Sequence, residues 1–388
     1  MTAILPPARL GILGGGQLGR YFVQAAQRLG YQVWVLDPAP DSPAGRIADR
    51  HLAAGYDDRA ALDALAAHCA AITTEFENVP APSLEYLART VRVAPAAAAV
   101  AVCQDRIAEK AFLRQHGLPH GPYAVIHTAA DIQAADSALF PGILKVARFG
   151  YAGKGQSRVN TRDEALAAFH ANADKACVLE ALLPLDAEVS VVLARGEDGQ
   201  TECFPIAENS HRDGILDVSI VPARIPAALA DNARQCALSI ASDLDYVGTL
   251  AVEFFVSRGK LCVNEMAPRP HNSGHYTLDA CATSQYDQQV RVLCGLPPGD
   301  PSANCAAVMV NLLGDLWFDG GVLSEPDWPI LQAIPELRLH LYGKNQARPG
   351  RKMGHFTVLG SDLPITLATA MRARRLIGVR DDSRSGLA

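Results

Sequence analysis

Apolar and polar side chains alternate over residues 250–256, which predicts a β-strand. Residues 257–260 carry turn formers, and 261–265 reads as a returning strand. With the hairpin centred on Gly259, Glu253 and Glu265 lie opposite each other on one face. Earlier in the chain, residues 9–13 form a short apolar strand. It runs into Gly14-Gly15-Gly16-Gln17-Leu18-Gly19 and a helical segment reaching Leu29, and 31–36 is a second strand ending at Asp37. An apolar run at 70–74 precedes Glu75-Phe76-Glu77-Asn78. Residues 104–117 have helical spacing, and their charges, Arg106, Glu109 and Lys110 among them, are expected on a solvated face. Strands follow at 142–148, with Lys145 among apolar neighbours, at 177–183, at 188–194, and at 205–211 ending in His211. The pattern is α/β at the start and α+β after it.

Composition narrows the class. The 388 residues suffice for two or three domains, and 49% hydrophobic with 20% charged residues places the chain among soluble globular proteins. A net charge of −6 argues against a general nucleic-acid binder. Nine cysteines without a CxxC pair read as free thiols of a reducing compartment. No basic start with an apolar run opens the chain, and no apolar stretch reaches the ~18 residues of a membrane span. A cytoplasmic enzyme is expected.

The candidate chemistry lies at strand ends and in glycine-rich turns. Two carboxylates facing each other across a hairpin are either solvated surface acids or a site for a cation such as Mg2+, whose shell takes carboxylates and phosphate oxygens. The Pro- and Gly-broken segment after them carries Arg269, His271, Asn272, Ser273 and His275. Gly14, Gly16 and Gly19 fit a phosphate-binding turn at a helix N-terminus, with Asp37 near the place of a ribose-reading acid. That feature alone suggests a Rossmann unit, and an NAD-dependent oxidoreductase would fit it. The run Gly150 to Gln156 is a glycine-rich loop of the kind that closes over phosphates. Glu180 ends an apolar strand before a linker that suits a purine.

The order of these parts resembles the ATP-grasp enzymes, and among them the N5-carboxyaminoimidazole ribonucleotide synthetases. The resemblance rests on ILGGGQLGR (12–20), LDP (36–38), TEFENVP (74–80), QDR (104–106), GYAGKGQ (150–156), EVS (188–190), NSHRDGI (209–215), NEMAPRPHNSGH (264–275) and RPGRKMGH (348–355). It implies an ATP-grasp fold in three parts: a Rossmann-like pre-ATP-grasp domain at 1–103, a small lid subdomain at 104–183, and a large domain at 184–388 with a C-terminal region that meets the substrate phosphate.

The resemblance also implies roles. Arg106 and Lys145 would hold the phosphates of ATP under a lid of Gly150, Tyr151, Ala152, Gly153, Lys154, Gly155 and Gln156. Glu180, Ala181, Leu182 and Leu183 would hold the adenine, and Glu188 the ribose, with His211 in the same nucleotide site. Glu253 and Glu265 would bind Mg2+, with Asn264 beside them. Arg269, His271 and Asn272 would line the bicarbonate and carboxyphosphate site, His271 as a proton acceptor. Gly15, Gly16, Gln17, Leu18, Glu75, Tyr151, Ser273, Lys344 and Arg351 would meet aminoimidazole ribonucleotide. A homodimer is expected on the same ground. One departure is visible: the family usually reads GYDGKGQ, and this chain has Ala152 in place of the aspartate. A formate-dependent glycinamide ribonucleotide transformylase is the rival within the superfamily. The NEMAPRPHNSGH loop separates the two.

Overall fold

The structure, a computed structural model, describes residues 2–148, 150 and 155–379. The expected lid residues Tyr151, Ala152, Gly153 and Lys154 lie outside them.

The apolar runs at the start of the chain form five parallel strands, in the order Arg50–Leu52, Gln32–Leu36, Arg9–Leu13, Ala71–Thr74, Arg92–Val93. Both faces are covered, which is why these strands read as continuous hydrophobic stretches. The strand order reverses between Arg9–Leu13 and Ala71–Thr74. In open parallel sheets the crevice beyond such a switch point is where ligands bind. The Gly14–Gly16 turn and Glu75 follow directly from these two strand ends.

A four-stranded antiparallel sheet comes next, in the order Tyr123–Ile126, Cys177–Ala181, Gly142–Val146, Gln156–Val159. Leu144, Val146, Val159, Leu179 and Phe169 fill its small core. Nine of the remaining strands build one larger sheet, and Phe318–Asp319 with Val322–Leu323 form a small ribbon of their own. The glutamate hairpin, Gly248–Ser257 with Lys260–Ala267, forms one edge, and the late strands Ala306–Leu313, Lys352–Gly360 and Leu337–Leu341 form the other side. The C-terminal region is thus hydrogen-bonded into the same sheet that carries the glutamates. The helices Ala227–Asp243 and Leu363–Leu376 pack on it, contributing Ala237, Ile240, Ala370 and Ala373 to separate apolar clusters.

The helical spacing at 104–117 resolves into the helix Arg106–Gln115, started by Asp105, whose side chain accepts from the Ile107 N–H. Arg114 is exposed, but the other charges are not. Glu109 and Lys110 are buried, and they share a face with Arg106 and Leu113 by i, i+3, i+4 and i+7 spacing.

Candidate active site

The hairpin brings Glu253 and Glu265 together, but not by simple centring on Gly259. Arg258 and Gly259, both with positive φ, make a two-residue turn, and residues 254–257 pair with 260–263 in that register. A bulge between Glu253 and Phe254 then shifts the ladder by one, and only then is Glu253 opposite Glu265. Without the extra residue Glu265 would point to the other face.

Three cations gather beside this hairpin. Lys145, almost fully buried, lies 3.0 Å from one oxygen of Glu180, and Lys110 lies 3.3 Å from the other. Arg106 reaches Glu265 at 3.4 Å. Burial pushes the Glu180 carboxyl up, yet Lys145 and Lys110 outweigh it and hold it down at about 2. Burial pushes Lys145 below its ordinary value, and Arg106 and Lys110 push the same way against Glu180. Arg106, Lys110 and Lys145 are the positive charges that a buried polyphosphate needs within reach. The carboxylate of Glu180 is therefore engaged by lysines. The adjoining linker turns its backbone inward: Ala181 N–H donates to Pro122 O and Leu182 N–H to Pro141 O. Gln156 pairs with Lys145 across the small sheet. Glu188 meets His211 at 2.8 Å, and that carboxylate helps lift His211 above its usual value against the effect of burial.

The paired glutamates satisfy the donor chemistry of Mg2+. Burial raises the Glu253 carboxyl, and the charges of Glu265 and Glu188 raise it further, so a divalent cation would relieve the site. No group of three or more His, Cys, Asp or Glu side chains is arranged for a metal among the described residues.

The loop after the hairpin holds Arg269, His271 and Asn272. Arg269 pairs with Glu77 of the N-terminal domain, while His271 Nε2 lies 3.6 Å from Glu253. Gln285, fully buried, clamps the main chain of His271 from both sides, accepting from its N–H and donating to its C=O, each at 2.8 Å. Burial, then the charges of Arg269 and Lys352, push His271 well below its usual value, so the ring is neutral. Asn272 is buried with neither polar side-chain atom paired. Lys352 faces the same spot. Burial and Arg269 bring it down to about 8, against Glu253, Glu77 and Glu265. Two cations and an unpaired amide make a site for a small anion.

A cavity of about 380 Å³ opens between the first parallel sheet and the loop 343–351. Gly15, Gly16, Gln17, Glu75, Lys344 and Arg351 line it. Leu18 instead packs into the core below, and Ser273 is fully buried behind His271 with its hydroxyl engaged. The glycine turn does not offer its amides to a phosphate. Glu75 accepts from Gly16 N–H at 2.6 Å and Gly19 N–H at 2.7 Å, and Asp37 accepts from Gly15 N–H at 2.7 Å. A Cβ at Gly14 would lie 2.2 Å from Glu75 Cγ, and one at Gly16 would lie 2.4 Å from its Oε1. The glycines admit a carboxylate of the protein itself. Asp37 also receives Tyr56 O–H and Ala39 N–H, so both of its oxygens are already engaged by the protein. The dinucleotide reading loses its site.

Sequence reasoning missed Lys110, Gln285 and Glu77 as members of this arrangement. For Lys110 a signal existed, since it lies one helical turn from Arg106 on the face that also carries Leu113.

The sheets and the cation-lined cleft between them define an ATP-grasp enzyme. Residues 8–104 match the ribonucleotide synthetase preATP-grasp domain, 111–286 the ATP-grasp domain, and 307–369 the phosphoribosylaminoimidazole carboxylase C-terminal domain. The N5-carboxyaminoimidazole ribonucleotide synthase of Brucella melitensis biotype 1 is 44% identical over 92% of this chain and 97% of its own. The chain belongs to the N5-carboxyaminoimidazole ribonucleotide synthase family. Solved structures agree. The Staphylococcus aureus synthetase complexed with ADP superposes with a TM-score of 0.89 at 37% identity, covering 96% of this chain and 98% of that one. The Aspergillus clavatus synthase in complex with ADP and 5-aminoimidazole ribonucleotide gives 0.87 at 31%, covering 95% and 98%.

Proposed function

We propose that the chain is an ATP-dependent ligase of purine biosynthesis. It joins bicarbonate to 5-aminoimidazole ribonucleotide, forming N5-carboxyaminoimidazole ribonucleotide, ADP and phosphate by way of carboxyphosphate. The observation that carries this reading is the reach of one loop: His271 approaches Glu253 in the nucleotide half, and Arg269 grips Glu77 beside the ribonucleotide cavity. An intermediate made on one side is thereby delivered to the other.

Arg106, Lys110 and Lys145 neutralise the polyphosphate, since phosphoryl transfer depends on alignment and charge rather than covalent help. Glu253 and Glu265 would hold Mg2+, which supplies further neutralisation of the phosphates. Arg269, Lys352 and Asn272 hold bicarbonate while its oxygen attacks the γ-phosphorus and ADP leaves. Carboxyphosphate breaks down to CO2 and phosphate, and the exocyclic amine takes up the CO2. Water would hydrolyse this intermediate, so the loop 150–156 is assigned as the lid that excludes it. Lys344 and Arg351 bind the ribonucleotide phosphate, with Gln17 and Glu75 on the facing wall. The proposal retains the three domains 1–103, 104–183 and 184–388, a homodimer, and a cytoplasmic location. Among the described residues no helix is long and apolar enough to cross a membrane.

The test is ADP release with ATP, Mg2+ and bicarbonate, with and without aminoimidazole ribonucleotide. Stimulation by the ribonucleotide that also requires bicarbonate is expected. Hydrolysis indifferent to the ribonucleotide would remove the substrate assignment and turn attention to glycinamide ribonucleotide with formate.

A further inference from the structure

A row of buried hydrogen bonds runs beneath His271. Ser219 Oγ donates to Asn209 Oδ1 at 2.8 Å, and Asn209 Nδ2 donates to Ser190 Oγ at 2.9 Å. Ser190 Oγ donates to Ser273 Oγ at 2.7 Å, which lies 2.8 Å from His271 Nδ1. All four residues are buried, and three strands and the loop contribute them. The row has one direction. Ser190 accepts from Asn209 and donates to Ser273, so Ser273 has its proton left for the ring. A second donor agrees: the Ser273 backbone N–H points at the same Nδ1 at 3.3 Å. A backbone amide can only donate, so Nδ1 must accept.

We infer that Ser273, oriented by Ser190, Asn209 and Ser219, holds His271 with Nδ1 as the acceptor, the tautomer that leaves Nε2 as the ring's donor. This inference rests on the proposed carboxylation and deepens it. His271 then meets the anion as a hydrogen-bond donor that stabilises charge. In that tautomer neither nitrogen offers a free lone pair to act as the base, since Nδ1 is taken by Ser273 and Nε2, 3.6 Å from Glu253, is the donor. Ser273 is a positioning residue and does not touch bicarbonate. The arrangement is the non-metal counterpart of the outer contacts that fix imidazole tautomers at metal sites.

The two ring nitrogens are read directly by nitrogen-15 NMR of the full chain labelled at histidine, without substrates, at neutral pH. His271 is assigned by the signals lost in His271→Gln. An unprotonated Nδ1 with a protonated Nε2 is expected. A protonated Nδ1, or a doubly protonated ring, overturns the inference, and the wild-type reading needs no variant to fold. In Ser273→Ala the single remaining amide donor should leave a mixture of tautomers. Its kcat/KM for bicarbonate should fall about tenfold or more with the KM for ATP unchanged. A Ser273→Ala protein with the wild-type tautomer and the wild-type bicarbonate dependence would also overturn it. The tautomer is read without the ribonucleotide, so a failed substrate assignment would show in ADP release while the ring-nitrogen result stood.

Discussion

Glu180 answers two lysines at once, and its removal should expose how much charge the cleft holds. Glu180→Gln keeps the volume and leaves Lys110 and Lys145 buried without a counter-charge. Breaking a buried pair this way costs ~3 kcal/mol or more. The melting temperature of the apo variant should drop, and added ADP should recover more of it than ADP adds to the wild type. A variant as stable as the wild type would mean the lysines are already solvated. Lys344 gives a pH signature. Burial first, then Arg351, hold it near 7, far below the ordinary lysine value, while Glu75 opposes them. Between that value and the unfolded one the unfolded chain binds more protons, so this group makes folding more favourable as pH rises. A bound phosphate favours the ammonium form. The KM for the ribonucleotide should therefore climb as pH rises above 7, by up to about tenfold per unit, and Lys344→Arg should flatten the climb. A wild-type KM that is level from pH 7 to 9 would contradict the assignment of Lys344 to the phosphate. Ala152 yields a simpler expectation from the sequence alone. Ala152→Asp should lower the KM for the ribonucleotide, and an unchanged KM would show that the missing aspartate is not needed.

At the scale of elements, the glycine turn and the hairpin show where sequence reading holds and where it stops. The turn's spacing correctly marks a strand-to-helix junction, but spacing cannot reveal what fills it. The filler, Glu75, is about 60 positions away and reaches Gly16 and Gly19 only because Ala71–Thr74 lies beside Arg9–Leu13. Glu75→Ala should leave those amides unpaired at a cost of ~1–3 kcal/mol. It should also turn the helix Gln17–Arg28 into an anion site, since an open helix N-terminus favours negative charge. Inorganic phosphate should then raise the variant's melting temperature more than the wild type's. Equal shifts would argue that Glu75 is not what keeps anions out. The hairpin was legible in its result but not in its cause: the pairing of Glu253 with Glu265 follows from a bulge, and nothing in the alternation of residues 250–265 announces one. In the helix Arg106–Gln115 residue type points Glu109 and Lys110 to solvent, whereas their spacing puts them with Leu113 in the interior. The helix Gln285–Leu293 was not read at all. Its glutamines look like surface residues, yet Gln285 grips His271 and Gln289 donates to Thr73 and Thr74 of the first sheet. Polar side chains buried for such links carry no hydrophobic period to find.

The whole molecule holds two separate seams joined by one loop, one proposed for the nucleotide and one for the ribonucleotide. Lys145 and Glu180 sit on the small sheet, while Glu253 and Glu265 sit on the edge of the large one, with the helix Arg106–Gln115 tied to both by Lys110 and Arg106. A nucleotide bound there would bridge the two sheets, beside the contact where Val263 N–H of the large sheet donates to Pro119 O of the segment that leads into the small one. The ribonucleotide cavity lies elsewhere, between the switch point of the first sheet and loop 343–351, which is pinned by Arg46 to Gly343 O and by Asn345 to Asp41. Ligand binding should therefore leave two disjoint footprints in amide hydrogen exchange, because each ligand suppresses only the openings that separate its own walls. ADP should slow exchange in Gly142–Val146, Cys177–Ala181 and the glutamate hairpin, and leave 37–46 and 343–351 as they were. Aminoimidazole ribonucleotide should do the reverse. Residues 269–275 belong to both walls and should respond to either ligand, more strongly to the two together. Protection by ADP that spreads through the first parallel sheet would mean that the seams are not independent. Protection by the ribonucleotide confined to the glutamate hairpin would move the substrate out of the cavity that Glu75 and Lys344 line.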